Sequence, residues 1–211
     1  LTLYTLFSRS LAMVEEQLLV PLEMYLKAGL HIGTKFRTKY MERFFYKDRP
    51  DGLSVLNVQE INKRIEIAAK FVARFKPEEI AVVGKRENSW KALNRFAKAI
   101  GAKSFAGKYR SGVWTNPKLD GFTEAKVVIC ADPWPDKDSI KDAMKSGAFI
   151  VALCDTNNES TNVDFVVPCN NKGKKSLGLF FWILSREYLK TNGVIKSDEE
   201  MPIKLEEFIE E

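Results

Sequence analysis

Asp132 and Asp155 are the residues with the most chemistry to offer. Each stands just beyond a short apolar run, Lys126 to Ala131 and Phe149 to Leu153. Paired acids near a lysine at strand ends can bind magnesium and accept a phosphoryl group. The same stretches, Asp132-Pro133 and Asp155-Thr156-Asn157, are good turn and capping chemistry, because short polar side chains hydrogen-bond their own backbone. That second reading is the stronger. His31 is the only histidine, so a Ser-His-Asp arrangement would rest wholly on it, and the chain has no G-x-S-x-G elbow. It reads as an orienting or packing residue. Gly173-Lys174-Lys175-Ser176 has the Gly-Lys of a phosphate-binding loop, but Pro168 stands at the first glycine position and Lys175 replaces the Ser or Thr. No G-x-G-x-x-G follows the first strand of the alternating pattern, which leaves a dinucleotide site without its fingerprint. Cys130, Cys154 and Cys169 each end an apolar run, and no Cys-x-x-Cys occurs. With one histidine they lack zinc-ligand spacing and read as buried, reduced thiols of a cytosolic protein. No catalytic residue, metal or cofactor is expected.

Charge is the more informative signal. The net charge of +5 is unevenly spread. Lys27 to Arg49 holds seven Lys or Arg against two acids, and Lys85 to Lys118 holds nine against one. Lys196 to Glu211 reverses this, with two bases against seven acids. Lys35, Arg37 and Lys39 alternate with Phe36, Thr38 and Tyr40, and Phe44-Phe45-Tyr46-Lys47-Asp48-Arg49 follows. A cationic, aromatic, glycine-hinged stretch fits a polyanion contact. So do Lys85, Arg86, Lys108, Arg110, Lys118, Lys172, Lys174 and Lys175, which fall near strand ends. Arg110, Trp114, Thr115 and Asn116 combine charge, a stacking surface and hydrogen bonding, as RNA loops require. Trp114 could equally belong to the core.

These residues need a scaffold, and hydrophobic periodicity supplies it. Leu11, Val14 and Leu18 recur at helical spacing. Pro21 opens a second helix at its first position and Gly29 ends it. Asp51-Gly52 turns into a β-rich run, Leu53 to Val58. Ile61, Ile65, Ala68, Val72 and Phe75 mark an amphipathic helix that Pro77 stops. Ile80 to Gly84 is a buried strand. Ser89 caps a helix with Trp90, Leu93, Ala97 and Ile100 on one face, closed by Gly101. Lys103 to Ala106 is a weaker strand, and Gly107 to Gly121 is a long loop. Asp136 or Asp138 caps a helix closed by Gly147, Asp164 to Val167 is a strand, and Ser176 caps the last strong helix. Apolar strands alternating with amphipathic helices mean a parallel sheet with helices on both faces. The ligand edge of such a sheet is the carboxyl end of its strands. No apolar run is long enough to cross a bilayer. Leu1 to Val20 is interrupted by Arg9, Glu15 and Glu16 and makes a poor signal peptide. Met13 is a candidate start, which would make residues 1–12 a non-native extension. The tail after Gly193 reads as a mobile, solvated acidic end.

Several motifs occur together in one order. They are Tyr25-Leu26-Lys27-Ala28-Gly29-Leu30-His31-Ile32-Gly33-Thr34-Lys35, Arg49-Pro50-Asp51-Gly52-Leu53, Thr115-Asn116-Pro117, Ala152-Leu153-Cys154-Asp155-Thr156-Asn157, and Asn170-Asn171-Lys172-Gly173-Lys174-Lys175-Ser176-Leu177. In that order and spacing the chain closely resembles the universal small-subunit ribosomal protein two family, and the archaeal and eukaryotic branch, with the laminin-receptor precursor, matches best. The match covers roughly residues 21–189. The resemblance implies a three-layer α/β/α, flavodoxin-like parallel sheet, no catalysis, and a place on the solvent side of the small ribosomal subunit. It implies contacts with ribosomal RNA and neighbouring ribosomal proteins in the cytoplasm, with no membrane and no small-molecule substrate. Laminin binding is not implied, because the long eukaryotic tail is missing. The Lys108-Tyr109-Arg110-Ser111-Gly112 stretch departs from the family pattern.

The resulting expectation is a ribosomal RNA-binding protein of translation. It divides into an N-terminal helical extension over residues 1–20, an α/β domain over 21–190 and an acidic tail over 191–211. The expected RNA contacts are Lys35, Arg37, Lys39, Arg49, Arg86, Arg110, Thr115, Asn116, Lys172 and Lys174. His31 and Gly33 set the path of the basic segment. The competing expectation is a flavodoxin-like domain that binds a small molecule or phosphate through Asp132 and Asp155.

Overall fold

The computed structural model describes residues 18–196 and 200–209. The helix expected through Leu11 and Val14 falls outside them. Helix α1, Leu22–Ala28, begins directly after Pro21 and ends at Gly29. Pro21 is therefore the capping position and not the first helical residue.

The first departure from the sequence pattern comes next. Phe45–Asp48 (β1) and Ser54–Leu56 (β2) form an antiparallel hairpin, with Phe45 opposite Leu56 and Asp48 opposite Ser54. Arg49 N–H donates to Leu53 O at 2.8 Å and closes its turn. The aromatic, charged stretch expected to be a contact surface is thus a structured arm.

Helix α2, Val58–Val72, is capped by the Asn57 side chain, which accepts from Gln59 N–H. Five parallel strands then form the sheet: β3 Ile80–Gly84, β4 Lys103–Ala106, β5 Val127–Cys130, β6 Phe149–Cys154 and β7 Phe165–Pro168. Their order is β4-β3-β5-β6-β7. This is the flavodoxin-like order, in which the direction of strand addition reverses between β3 and β5. Every residue of β3 and β5 is buried, as expected for strands covered on both faces.

One face carries α2, α3 (Glu87–Ile100) and the long α5 (Lys174–Thr191), with α5 packed against both others. Right-handed crossovers put the β4–β5 and β5–β6 connections on the other face. There α4, Lys137–Ser146, shares the layer with the irregular 107–121 segment. Asp142 joins the two, accepting from Tyr109 Oη, Ser111 Oγ and Gly112 N–H at 3.3, 3.1 and 3.0 Å. Burial raises the Asp142 pKa, but these three bonds and the nearby Lys145 ammonium together outweigh it and hold the carboxyl below its ordinary value.

The caps expected from sequence need correction. Ser89 and Ser176 lie inside their helices, which begin after Arg86 and Gly173. Their hydroxyls donate backwards, to Arg86 O and Asn170 O. Asp136 does precede α4, but its side chain makes no capping bond there.

The acidic tail is also not a solvated end over its described part. Ile195, Ile203 and Phe208 are buried. Helix α6, Leu205–Ile209, packs against α5 and α3. Gly178 makes this possible: a Cβ there would stand 2.9 Å from the Phe208 backbone oxygen. Glycine inside a helix costs about 1 kcal/mol relative to alanine, and here that gap seats the tail. Arg95 pairs with Glu207 at 3.3 Å across the same contact. Cys130, Cys154 and Cys169 are free and buried, and burial raises all three thiol pKa values.

A closed sheet edge and an exposed basic arm

The reversal between β3 and β5 is where a ligand crevice opens in folds of this topology. Here that edge is filled by the protein's own side chains. Asp132 is buried, and its Oδ2 meets Arg86 Nε at 2.5 Å. Its Oδ1 accepts from Trp134 N–H at 3.1 Å and Asn158 Nδ2 at 3.0 Å. Asp155, equally buried, accepts from Lys172 Nζ at 3.1 Å and from Thr156 N–H at 2.6 Å. Asn158 Oδ1 takes Asp155 N–H and Asn171 Nδ2, which ties the two aspartates into one network.

This overturns the phosphoryl-transfer reading. Both carboxylates already hold cationic and N–H partners, so neither presents a free oxygen pair to a metal. Among the described residues no group of three His, Cys, Asp or Glu side chains is placed to hold a metal ion. Asp136 completes the edge, accepting from Lys85 N–H at 2.9 Å. Burial pushes its carboxyl up to about 6, against the bonds it accepts.

The Gly173-Lys174-Lys175-Ser176 stretch closes on itself in the same way. Asn170 Oδ1 accepts from Lys172 N–H and Gly173 N–H, and its backbone carbonyl accepts the Ser176 hydroxyl. A phosphate cradle needs such N–H groups free and pointing outward.

The segment after α1 is laid over this edge. Asn170 N–H donates to Leu30 O at 2.9 Å, Thr34 N–H to Thr156 Oγ1 at 2.9 Å, and Thr38 N–H to Thr156 O at 2.9 Å. Gly33 lets the two chains meet: a Cβ there would overlap the Thr156 side chain and reach 3.0 Å from Ser54 O. His31 is half-buried. Its carbonyl accepts from Leu56 N–H, and its Nδ1 is buried without a partner among the described residues. Burial lowers its pKa, the Tyr25 backbone partly opposes this, and Arg49 adds to it. A half-buried ring whose charged form burial disfavours, with its backbone bonded to the hairpin, acts in packing.

Beyond Thr34 the arm faces outward. Lys35, Arg37, Lys39 and Arg49 are all exposed. Lys35 and Lys39 make no ion pair among the described residues, while Arg37 lies 3.5 Å from Asp48 and Arg49 3.0 Å from Asp51. The aromatics hold guanidinium groups in place: Arg37 sits 4.2 Å above the Phe45 ring and Arg43 3.7 Å above Tyr40. Phe36 is 79% exposed and Tyr46 63%. Arg43 is not among the expected contacts, although its place among Tyr40, Phe44 and Phe45 is an available signal.

The other expected contacts divide. Arg110, Thr115, Asn116 and Lys174 are exposed. Arg86 and Lys172 are anchored to Asp132 and Asp155 and only partly reach solvent. Trp114 is core: it is buried, packs edge-on to Phe105 and stacks with Tyr109, and its Nε1 donates to Ser139 Oγ at 3.4 Å. The structure therefore gathers Lys35, Arg37, Lys39 and Arg49 on one arm beside β6. It leaves Arg110, Thr115 and Asn116 on the separate loop that follows the outermost strand, β4.

Fold and site together define a flavodoxin-like protein with a closed ligand edge and a cationic arm mounted over it. The chain belongs to the ribosomal protein S2 family. The family model for ribosomal protein S2 matches residues 122–191. The small ribosomal subunit protein uS2 of Nanoarchaeum equitans is 44% identical over 190 residues, which cover 90% of this chain and 94% of that one. The protein of the same name from Thermofilum pendens is 43% identical over 198 residues, 94% of this chain and 92% of the relative. That of Ignicoccus hospitalis is 46% identical over 195 residues, 91% and 92% of the two chains.

Proposed function

We propose that this chain is a structural constituent of an archaeal-type small ribosomal subunit, where it binds ribosomal RNA and neighbouring ribosomal proteins and catalyses nothing. The observation that carries this reading is the contrast at the sheet edge. The crevice that would hold a small ligand is filled by Arg86–Asp132 and Lys172–Asp155. Lys35 and Lys39 stand outside it, exposed and with no acidic partner among the described residues. Cations of the second kind neutralise phosphates and fix register on an RNA backbone.

The RNA contacts are Lys35, Arg37, Lys39 and Arg49 on the arm, Arg110, Thr115 and Asn116 on the loop after β4, and Lys174 at the start of α5. Arg86 and Lys172 contribute through their solvent-facing edges while keeping their internal partners. Residues 21–190 form the RNA-binding α/β domain, and the described part of the acidic tail docks onto it through Ile195, Ile203 and Phe208. The working compartment is the cytoplasm, and among the described residues no helix is long and apolar enough to cross a membrane.

The test is sedimentation of a cell extract through a sucrose gradient with detection of this protein. Co-migration with small subunits, abolished only by high salt, is the expected result. A protein that stays at the top of the gradient at low salt with magnesium present would refute the assignment.

A further inference from the structure

On the face away from the long helix, a cleft of about 330 Å³ opens between the turn after β5 and the turn after β6. That volume is at the lower end of the range for small-ligand sites. One wall is the indole of Trp134, 69% exposed, and the apolar side includes the buried Ile140. The other wall is Asn157, Asn158, Glu159, Thr161 and Asn162. None of this region is among the expected RNA contacts.

The cleft is built rigidly. Pro133 and Pro135 flank Trp134 and fix the backbone on both sides. Trp134 N–H is held by Asp132, and Asp132 also holds Asn158, the buried member of the far wall. The network that closes the sheet edge therefore also sets the spacing between the indole and the polar wall. Asn157 accepts from Lys172 through its Oδ1 at 3.1 Å, which leaves its amide N–H groups as donors. Glu159 supplies an acceptor. Lys137 lies at the rim with no ion pair among the described residues.

We propose that this cleft takes a single unpaired RNA base, stacked on Trp134, with its edge read by Asn157 and Glu159 and its phosphate met by Lys137. The proposal rests on the RNA-binding reading above and adds a base-recognition site to a surface otherwise argued from charge. An aromatic face beside mixed donors and acceptors suits a splayed base, because every base has a π-face and an edge with both donor and acceptor positions. Glu159 accepts from an exocyclic amino group, which adenine, cytosine and guanine carry and uracil lacks.

The test uses the full chain and two fluorescent single-stranded probes, hexaadenylate and a six-unit ribose-phosphate chain without bases, followed by anisotropy. The probes share their charge, so their difference isolates the base. The wild-type protein is expected to prefer hexaadenylate by about tenfold, the scale of one base–aromatic stack. Trp134→Ala should lose that preference and Trp134→Phe should keep part of it, each with unchanged thermal stability because the ring is exposed. Equal binding of both probes by the wild type, with the usual salt dependence, overturns the base site and leaves the RNA-binding reading standing. Binding of neither probe, together with absence from small subunits on the gradient, overturns both. An unchanged probe preference in Trp134→Ala with loss of co-sedimentation overturns the proposal in favour of a protein segment in the cleft.

Discussion

The sheet edge and the basic arm use the same residue types to opposite ends. At the edge, Arg86 and Lys172 face buried carboxylates at 2.5 and 3.1 Å, and the Asn158 amide with the Trp134 and Thr156 N–H groups supplies the further donors. On the arm, Lys35 and Lys39 face water, and Arg37 and Arg43 lie over aromatic rings. The first arrangement fixes the fold; the second leaves positive potential outside it. A buried charge must be paired or the fold loses several kcal/mol. An exposed one costs the fold little and is available to a polyanion. The difference between the regions is therefore burial of the acidic partner, and it can be attacked from either side.

The largest effect should come from Asp132→Ala. It removes the partner of Arg86 and strips acceptors from Trp134 N–H and the buried Asn158 amide. Breaking a buried pair from one side costs about 3–5 kcal/mol. Arg86 is 39% exposed and can turn to solvent, so the expected loss is about 2–3 kcal/mol. Urea unfolding measures it. A loss no larger than that of an exposed substitution such as Asp138→Ala would mean that the edge network does not hold the fold.

A smaller effect with a definite sign belongs to Asp136. Burial raises its folded pKa to about 6, above the unfolded value of about 4. Between those values the folded state holds a proton that the unfolded state has released. Its contribution is fully present below about pH 4 and is lost as pH rises to about 6, on the order of 3 kcal/mol. Asp142, whose carboxyl is lowered, acts in the opposite sense and below that window. Asp136→Asn keeps an acceptor for Lys85 N–H but cannot titrate. Its stability relative to wild type should therefore rise from about pH 4 to about pH 6 and then level off. A flat difference across that range would contradict the burial argument.

What is legible in the sequence follows the same division. The strands of the sheet and most of the helices follow from apolar runs and helical spacing, because burial on two faces leaves a simple pattern; the strand order does not, and is expected only from the family resemblance. Gly29, Gly101 and Gly147 end helices as expected. The hairpin escapes that pattern because Phe45–Asp48 is a short, largely exposed strand whose partner lies beyond a turn. Charge masks its alternation. Ser89 and Ser176 look like caps but bond backwards into their own loops, which composition does not distinguish from a true cap. Acids conceal the docking of the tail; its signal is Gly178, set among Leu177, Leu179, Phe180 and Phe181 within a helix. The internal pairing of Arg86 and Lys172 is not legible at all. A lysine count contains no information about which acid, 17 or 46 residues away, folds against it.

The smallest effect on stability, and the sharpest on binding, is expected for Lys35→Ala combined with Lys39→Ala. Neither side chain is buried or ion-paired among the described residues, so unfolding free energy should move by less than about 0.5 kcal/mol. Affinity for RNA should fall, and the dependence of log K on log salt should become shallower by roughly one unit for each phosphate no longer neutralised. The combination is what distinguishes the arm from the edge: substitution at Asp132 should damage stability first and RNA binding only through it. Gly33 and Thr38 anchor the backbone on either side of Lys35 to Ser54, Thr156 and Asn158, so the double substitution leaves the arm seated and tests charge alone. An unchanged salt slope with unchanged stability would remove Lys35 and Lys39 from the interface. The loop bearing Arg110, Thr115 and Asn116 would then be the principal RNA contact, and exposure would have failed as a guide to which cations bind.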